Sequence, residues 1–405
     1  LITFRLLDHR GVHGTMKASL TSSGAGRTRQ PGVGPVSTTA LAPPPPSGRA
    51  GLAPRCQHSM MPSGLPTSMR FAICPPRARQ LLVTPPAHPS ADVSMATSQD
   101  EVTVDLALEA RCDLGESPVW DGKTNNLYFV DINSRTIHGF QPETGEHFTI
   151  KADEPTGTIV PTNDPTKILV ATQRDILVVD VPGRKVTKQA IATTPKEHGT
   201  EGFRFNDGKV SPSGTLLIGR MSNKWRKGAR GRQYRLDPGS STLVEVMSPE
   251  EVHLPNGIAW DGAKGVVYFI DSSTEEVRAY AADEQGIMRR GEDGALSWRT
   301  VTHRPSGLAT VPDGMTIDTD GNLWVAHGES GEVTCYHPES GAVLHKVPLP
   351  VQRPTACTFG GRDLGDLYVT TRVETGEGAH KHHGGLYRIR IPGVKGVAPA
   401  YEYAL

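Results

Sequence analysis

Three stretches place an oxygen-bearing side chain directly ahead of a short apolar run. Glu116 precedes Ser117-Pro118-Val119-Trp120-Asp121, Asn256 precedes Gly257-Ile258-Ala259-Trp260-Asp261, and Asp313 precedes Gly314-Met315-Thr316-Ile317-Asp318. A fourth, Phe203-Arg204-Phe205-Asn206-Asp207-Gly208-Lys209-Val210, sets Arg204, Asn206 and Asp207 side by side, with Asp207 in register with the other three. Weaker matches fall at Thr156 and Thr355. One Asx ahead of Gly is ordinary turn chemistry, but four carboxylates or amides at one repeat position, with Arg204 and Asn206 beside one of them, point to a site. Oxygen donors of this kind suit a hard divalent cation such as Ca²⁺ or Mg²⁺ and tolerate Zn²⁺ or Mn²⁺. A cation so held polarises a carbonyl, while carboxylates and Arg204 supply a general base and hydrogen bonds to substrate hydroxyls. Ester or lactone hydrolysis follows more readily than redox chemistry, since the chain has no Gly-rich phosphate loop, cofactor fingerprint or Gly-x-Ser-x-Gly elbow.

Each polar-headed strand is followed by a more apolar one: Leu127-Tyr128-Phe129-Val130, Ile168-Leu169-Val170-Ala171, Leu216-Leu217-Ile218, Val266-Val267-Tyr268-Phe269-Ile270, Leu323-Trp324-Val325-Ala326 and Leu367-Tyr368-Val369-Thr370. A third strand then ends in turns such as Asp237-Pro238-Gly239, and helical periodicity is nearly absent. Units recurring every ~40–57 residues, each unable to bury both faces of its own sheet, predict an all-β fold, a six-bladed β-propeller. In that architecture the first strand of every blade lines the central channel, so Glu116, Asp207, Asn256 and Asp313 converge at one mouth.

Residues 1–95 read differently. They are rich in Pro, Ser, Gly and Arg, with ten Lys/Arg against Asp8 and Asp92. Such a segment is expected to be disordered and outside the fold. Its composition is that of an organellar transit peptide; translated upstream sequence with a true start at Met95 is the other reading. The propeller is assigned to residues 96–405, where 33 basic residues face 41 acidic ones. An acidic body without basic-aromatic patches gives no reason to expect a nucleic-acid partner, and no apolar run approaches the ~18 residues of a membrane span. Cys112, Cys335 and Cys357 are widely spaced, which fits a reducing compartment: the cytoplasm, or a chloroplast or mitochondrion if the extension targets one. A monomer or weak dimer is expected.

Leu114-Gly115-Glu116-Ser117-Pro118-Val119-Trp120, Arg204-Phe205-Asn206-Asp207-Gly208-Lys209-Val210, Pro255-Asn256-Gly257-Ile258-Ala259-Trp260, Pro312-Asp313-Gly314-Met315 and Cys357-Thr358-Phe359-Gly360-Gly361 occur in this order. Together they resemble the regucalcin (senescence marker protein), gluconolactonase and luciferin-regenerating enzyme family over roughly residues 103 to 401. The resemblance implies a divalent metal on Glu116, Asn256 and Asp313, with Asp313 also the general base. It implies that Arg204 and Asn206 hold a small-molecule sugar lactone, with Asp207 at the channel mouth close to the metal. Where regucalcin-like members carry an acidic substrate-contacting residue, this chain has Lys224, the first cation of a basic loop running to Arg232. Lys224 is therefore placed among the substrate-facing residues, and the loop reads either as a lid over the channel mouth or as a solvated loop kept charged for solubility.

Three further features have ordinary structural explanations. His380-Lys381-His382-His383 reads as a solvated loop, Trp120 and Trp260 as packing between blades, and Cys357 as a buried, inert thiol. The expected function is a metal-dependent sugar lactonase of the gluconolactonase type. A Ca²⁺-binding regulatory protein and a hydrolase of another ester or organophosphate are the alternatives.

Overall fold

The computed structural model describes residues 3–6, 14–16, 101–199, 201–376, 378–397 and 401–405. Six sheets make a ring of blades. Blade 1 runs Gly115–Asp121, Asn126–Asp131, Thr136–Gln141 and Glu146–Lys151, all antiparallel. Blades 2 to 5 repeat the pattern, with inner strands Thr158–Pro161, Phe203–Val210, Pro255–Asp261 and Val311–Ile317. Blade 6 takes Pro354–Gly360, Asp366–Thr371 and Leu386–Arg390 from the end of the chain. Its fourth strand, Thr103–Leu108, comes from before blade 1 and pairs antiparallel with Leu386–Arg390, which closes the ring. The six-bladed all-β fold is thus the one the repeats predict.

Apolar residues pack between blades. Val119, Tyr128 and Val130 of blade 1 meet Ile159, Ile168 and Val170 of blade 2. Trp324 and Val333 of blade 5 meet Phe359, Leu367 and Val369 of blade 6. Trp120 lies with its ring parallel to that of Tyr368 in blade 6, centroids 6.4 Å apart, as expected for inter-blade packing. Two-sided burial explains why the second strands are apolar without alternation.

The assigned extension, residues 1–95, lies outside the described residues except for Thr3–Leu6 and Gly14–Met16. These pair with each other, and Thr3–Leu6 runs parallel beside Thr103–Leu108 at the outer edge of blade 6.

Candidate functional site

Every inner strand that carries a candidate ligand bulges at that point. Pairing with the second strand slips between Glu116 and Val119, Phe205 and Gly208, Pro255 and Ile258, and Pro312 and Met315. A bulge adds one residue to one strand and re-aims the side chains around it. The glycines after Asn256 and Asp313 allow the inner strands to touch. A Cβ on Gly257 would lie 2.7 Å from the Asp313 carbonyl oxygen, and one on Gly314 would lie 2.3 Å from the Ala356 Cβ.

The carbonyl immediately before each proposed metal ligand is latched to a neighbouring blade. Thr355 Oγ1 of blade 6 donates to Gly115 O, Asn206 Nδ2 of blade 3 donates to Pro255 O at 2.9 Å, and Ser272 Oγ of blade 4 donates to Pro312 O at 2.6 Å. Two carboxylates tighten the approach from outside. Asp131 accepts from the backbone N–H of Asp113 and Leu114 at 2.9 and 3.1 Å, and Asp271 accepts from His253 and Leu254 at 2.9 and 3.0 Å. Asp131 and Asp271 close the second strands of blades 1 and 4. The backbone entering Glu116 and Asn256 is therefore pinned by the same device twice.

A pocket opens at this end of the channel. Glu116, Arg204, Asn206, Asn256 and Asp313 all line it. Arg204 donates from one guanidinium nitrogen to Asn206 Oδ1 at 2.7 Å and to Phe205 O at 2.9 Å, which fixes the pair as a unit. Burial pushes the Asp313 carboxyl up to about 7, and the Asp207 charge adds to this against the Asn256 hydrogen bond and the charges of Arg372 and Arg204. Burial also holds Glu116 well above the usual carboxylate range, with repulsion from Asp313 and Asp207 in the same direction. Two crowded carboxylates and one amide oxygen match the donor set of a hard cation. Among the described residues no group of three or more His, Cys, Asp or Glu side chains could hold a metal; here the third donor is an amide.

Asp207 departs from the expected register. Asn206 takes the bulge position equivalent to Asn256 and Asp313, and Asp207 faces the other way. It lines a second cavity with Lys209 and Cys357, and it is not among the residues lining the first. The reason is the alternation of a strand, where a slip of one residue exchanges the two sides. Asp207 still acts on Glu116 and Asp313 through its charge.

Lys224 is exposed and does not line the pocket. Its loop instead offers Trp225 and Arg226, which begin a 3-10 turn, with the Arg226 guanidinium 4.3 Å from the centroid of the indole. Arg232 is engaged by Glu245 and Arg230 donates to Pro249 O, so these two cations are held by other parts of the loop's own blade. Arg353 and Arg372 also line the pocket, and nothing local in the sequence marks them. Cys357 is buried, donates to Trp324 O at 3.2 Å, and burial pushes its thiol up to about 12, in keeping with an inert residue. His382 sits 3.5 Å from Glu109.

The family model described as "SMP-30/Gluconolactonase/LRE-like region" matches residues 114–373. The chain belongs to this family. Regucalcin of Danio rerio is 33% identical over 307 residues, covering 75% of this chain and 98% of the relative. The structure of a luciferin-regenerating enzyme superposes with a TM-score of 0.65 at 28% identity, over 75% of this chain and 100% of its own. A calcium-binding regucalcin from Agrobacterium tumefaciens shares the fold, with a TM-score of 0.64 at 23% identity over 73% of this chain and 96% of its own. Membership supports a lactonase or regucalcin-type role. Among the described residues no helix is long and apolar enough to cross a membrane.

Proposed function

We propose that the protein hydrolyses a sugar lactone with a divalent cation held by Glu116, Asn256 and Asp313. The observation that carries this reading is the pocket itself, which brings the crowded Glu116 and Asp313 carboxylates together with Asn256 and the Arg204–Asn206 unit. A bound cation supplies polarisation of the lactone carbonyl and offsets the crowded carboxylates. Asp313 accepts the proton of the attacking water, which adds to the carbonyl carbon. The ring oxygen leaves as an alkoxide and takes that proton back, giving the open hydroxy acid. Arg204 and Asn206 orient the sugar hydroxyls, a use for fixed donors that a simple calcium buffer lacks. Hydrolysis of glucono-δ-lactone by protein before and after chelation tests the reading. Turnover should vanish with chelator and return with added Ca²⁺ or Zn²⁺; turnover indifferent to chelation would end it.

A further inference from the structure

Four guanidinium groups line the candidate pocket, from Arg204, Arg226, Arg353 and Arg372, against the carboxylates of Glu116, Asp313 and Glu329. Their engagements differ. Arg204 is tied to Asn206, and Arg353 pairs with Glu329 at 3.0 Å. Among the described residues neither Arg226 nor Arg372 makes an ion pair. Arg372 goes further, because its Nε is buried without any hydrogen-bond partner. A buried donor left unpaired is costly, and Arg372 is among the residues that line the pocket. Once a divalent cation offsets Glu116 and Asp313, the excess charge of the pocket is positive, carried by Arg226 on one wall and Arg372 on another.

We infer that the pocket is built for a sugar acid or lactone bearing a second anionic group, remote from the reacting carboxyl carbon, which Arg226 and Arg372 receive. This rests on the lactonase reading for the reaction but not for the binding. A guanidinium fork matches carboxylate or phosphate oxygens two at a time. Arg226 is preorganised on the face of Trp225, so little side-chain freedom is lost on capture. The selectivity therefore resides in Arg226 together with a blade 6 residue, and not in Lys224.

Isothermal titration of the full-length, Ca²⁺-loaded protein with D-gluconate, D-glucarate and 6-phospho-D-gluconate tests the inference. At least one of the two doubly anionic ligands should bind about tenfold or more tighter than gluconate. An advantage for glucarate alone assigns a carboxylate, and one for the phosphate ester alone assigns a phosphate. Raising the salt should narrow the gap. In the double variant Arg226→Ala, Arg372→Ala the ratio measured on that same variant should fall to within about twofold. Arg372→Lys keeps the charge but loses the fork, and should lose part of it. Equal affinity for all three ligands, an advantage that survives the double variant, or no binding of any sugar acid would each overturn the inference. Tight phosphosugar binding without hydrolysis of any lactone would uphold it and remove the lactonase reading; hydrolysis without preference would do the reverse.

Discussion

Removing the cation should make the fold sensitive to pH in a defined direction. In the cation-free protein the Asp313 carboxyl lies near 7 against an ordinary value of 3.8. The folded state holds that proton more tightly than the unfolded chain, so stability is greatest below about pH 4 for this group and is lost as pH rises through 7. At 1.36 kcal/mol per pH unit the full difference is ~4 kcal/mol. Asp313 keeps some contact with pocket water, so about half of that, ~2 kcal/mol or ~3 °C in Tm for a propeller of this size, is the expected loss. A divalent cation competes with the proton and restores it, which makes the cation-induced rise in Tm small near pH 5 and large near pH 8. Thermal unfolding with chelator and with added Ca²⁺, across about pH 5 to 8, measures this directly. In Asp313→Asn the cation-free Tm should fall along a shallower slope, with Glu116 supplying the remainder. Equal cation increments at both ends of the pH range, or a wild-type slope in Asp313→Asn, would refute the reasoning.

In activity assays Asp313→Asn keeps an oxygen donor and loses the base, so turnover should drop by ~10²-fold or more while cation binding persists; near-wild-type turnover would take Asp313 out of the mechanism. Ser272→Ala releases the Pro312 carbonyl ahead of Asp313, and should cost about 1 kcal/mol of stability and lower kcat several-fold with little change in KM. A chain beginning at Met95 retains Thr103–Leu108 and should melt within ~3 °C of the full chain, whereas one beginning at Ala110 loses the closing strand and should melt ~10 °C or more lower, or fail to fold. Equal melting of the two shortened chains would show that ring closure contributes nothing.

The propeller was legible because its unit repeats and because its second strands, buried on both faces, are continuous apolar runs. The fourth strands were not. Glu146–Lys151 exposes four of its six residues, so it carries almost no hydrophobic signal. Glu116, Asn256 and Asp313 could be found by their position ahead of an apolar run, and the structure brings all three to one pocket. Matching Asp207-Gly208 to Asn256-Gly257 and Asp313-Gly314 missed the true register by one residue, since a bulge shifts pairing without leaving a mark in composition. Arg353 and Arg372 reach the pocket from blade 6, and only the closed ring brings them near Arg226. The loop from Lys224 to Arg232 announced its charge but not its direction, because two of its cations are taken up within their own blade.

The strand Thr103–Leu108 also has a bearing on how the protein is made. It leaves the ribosome before any blade exists, yet its partner, Leu386–Arg390, is synthesised last of the blade 6 strands. At ~5–20 residues per second the wait is on the order of half a minute. For that interval the nascent chain carries an unpaired strand at one end and an incomplete stack of sheets at the other, both open to edge pairing. Closure joins segments at opposite ends of the propeller, the most non-local contact in the fold and the slowest kind to form. The same order makes the ring self-checking: a chain truncated before Leu386 cannot close, so it remains recognisable to chaperones and proteases as unfinished.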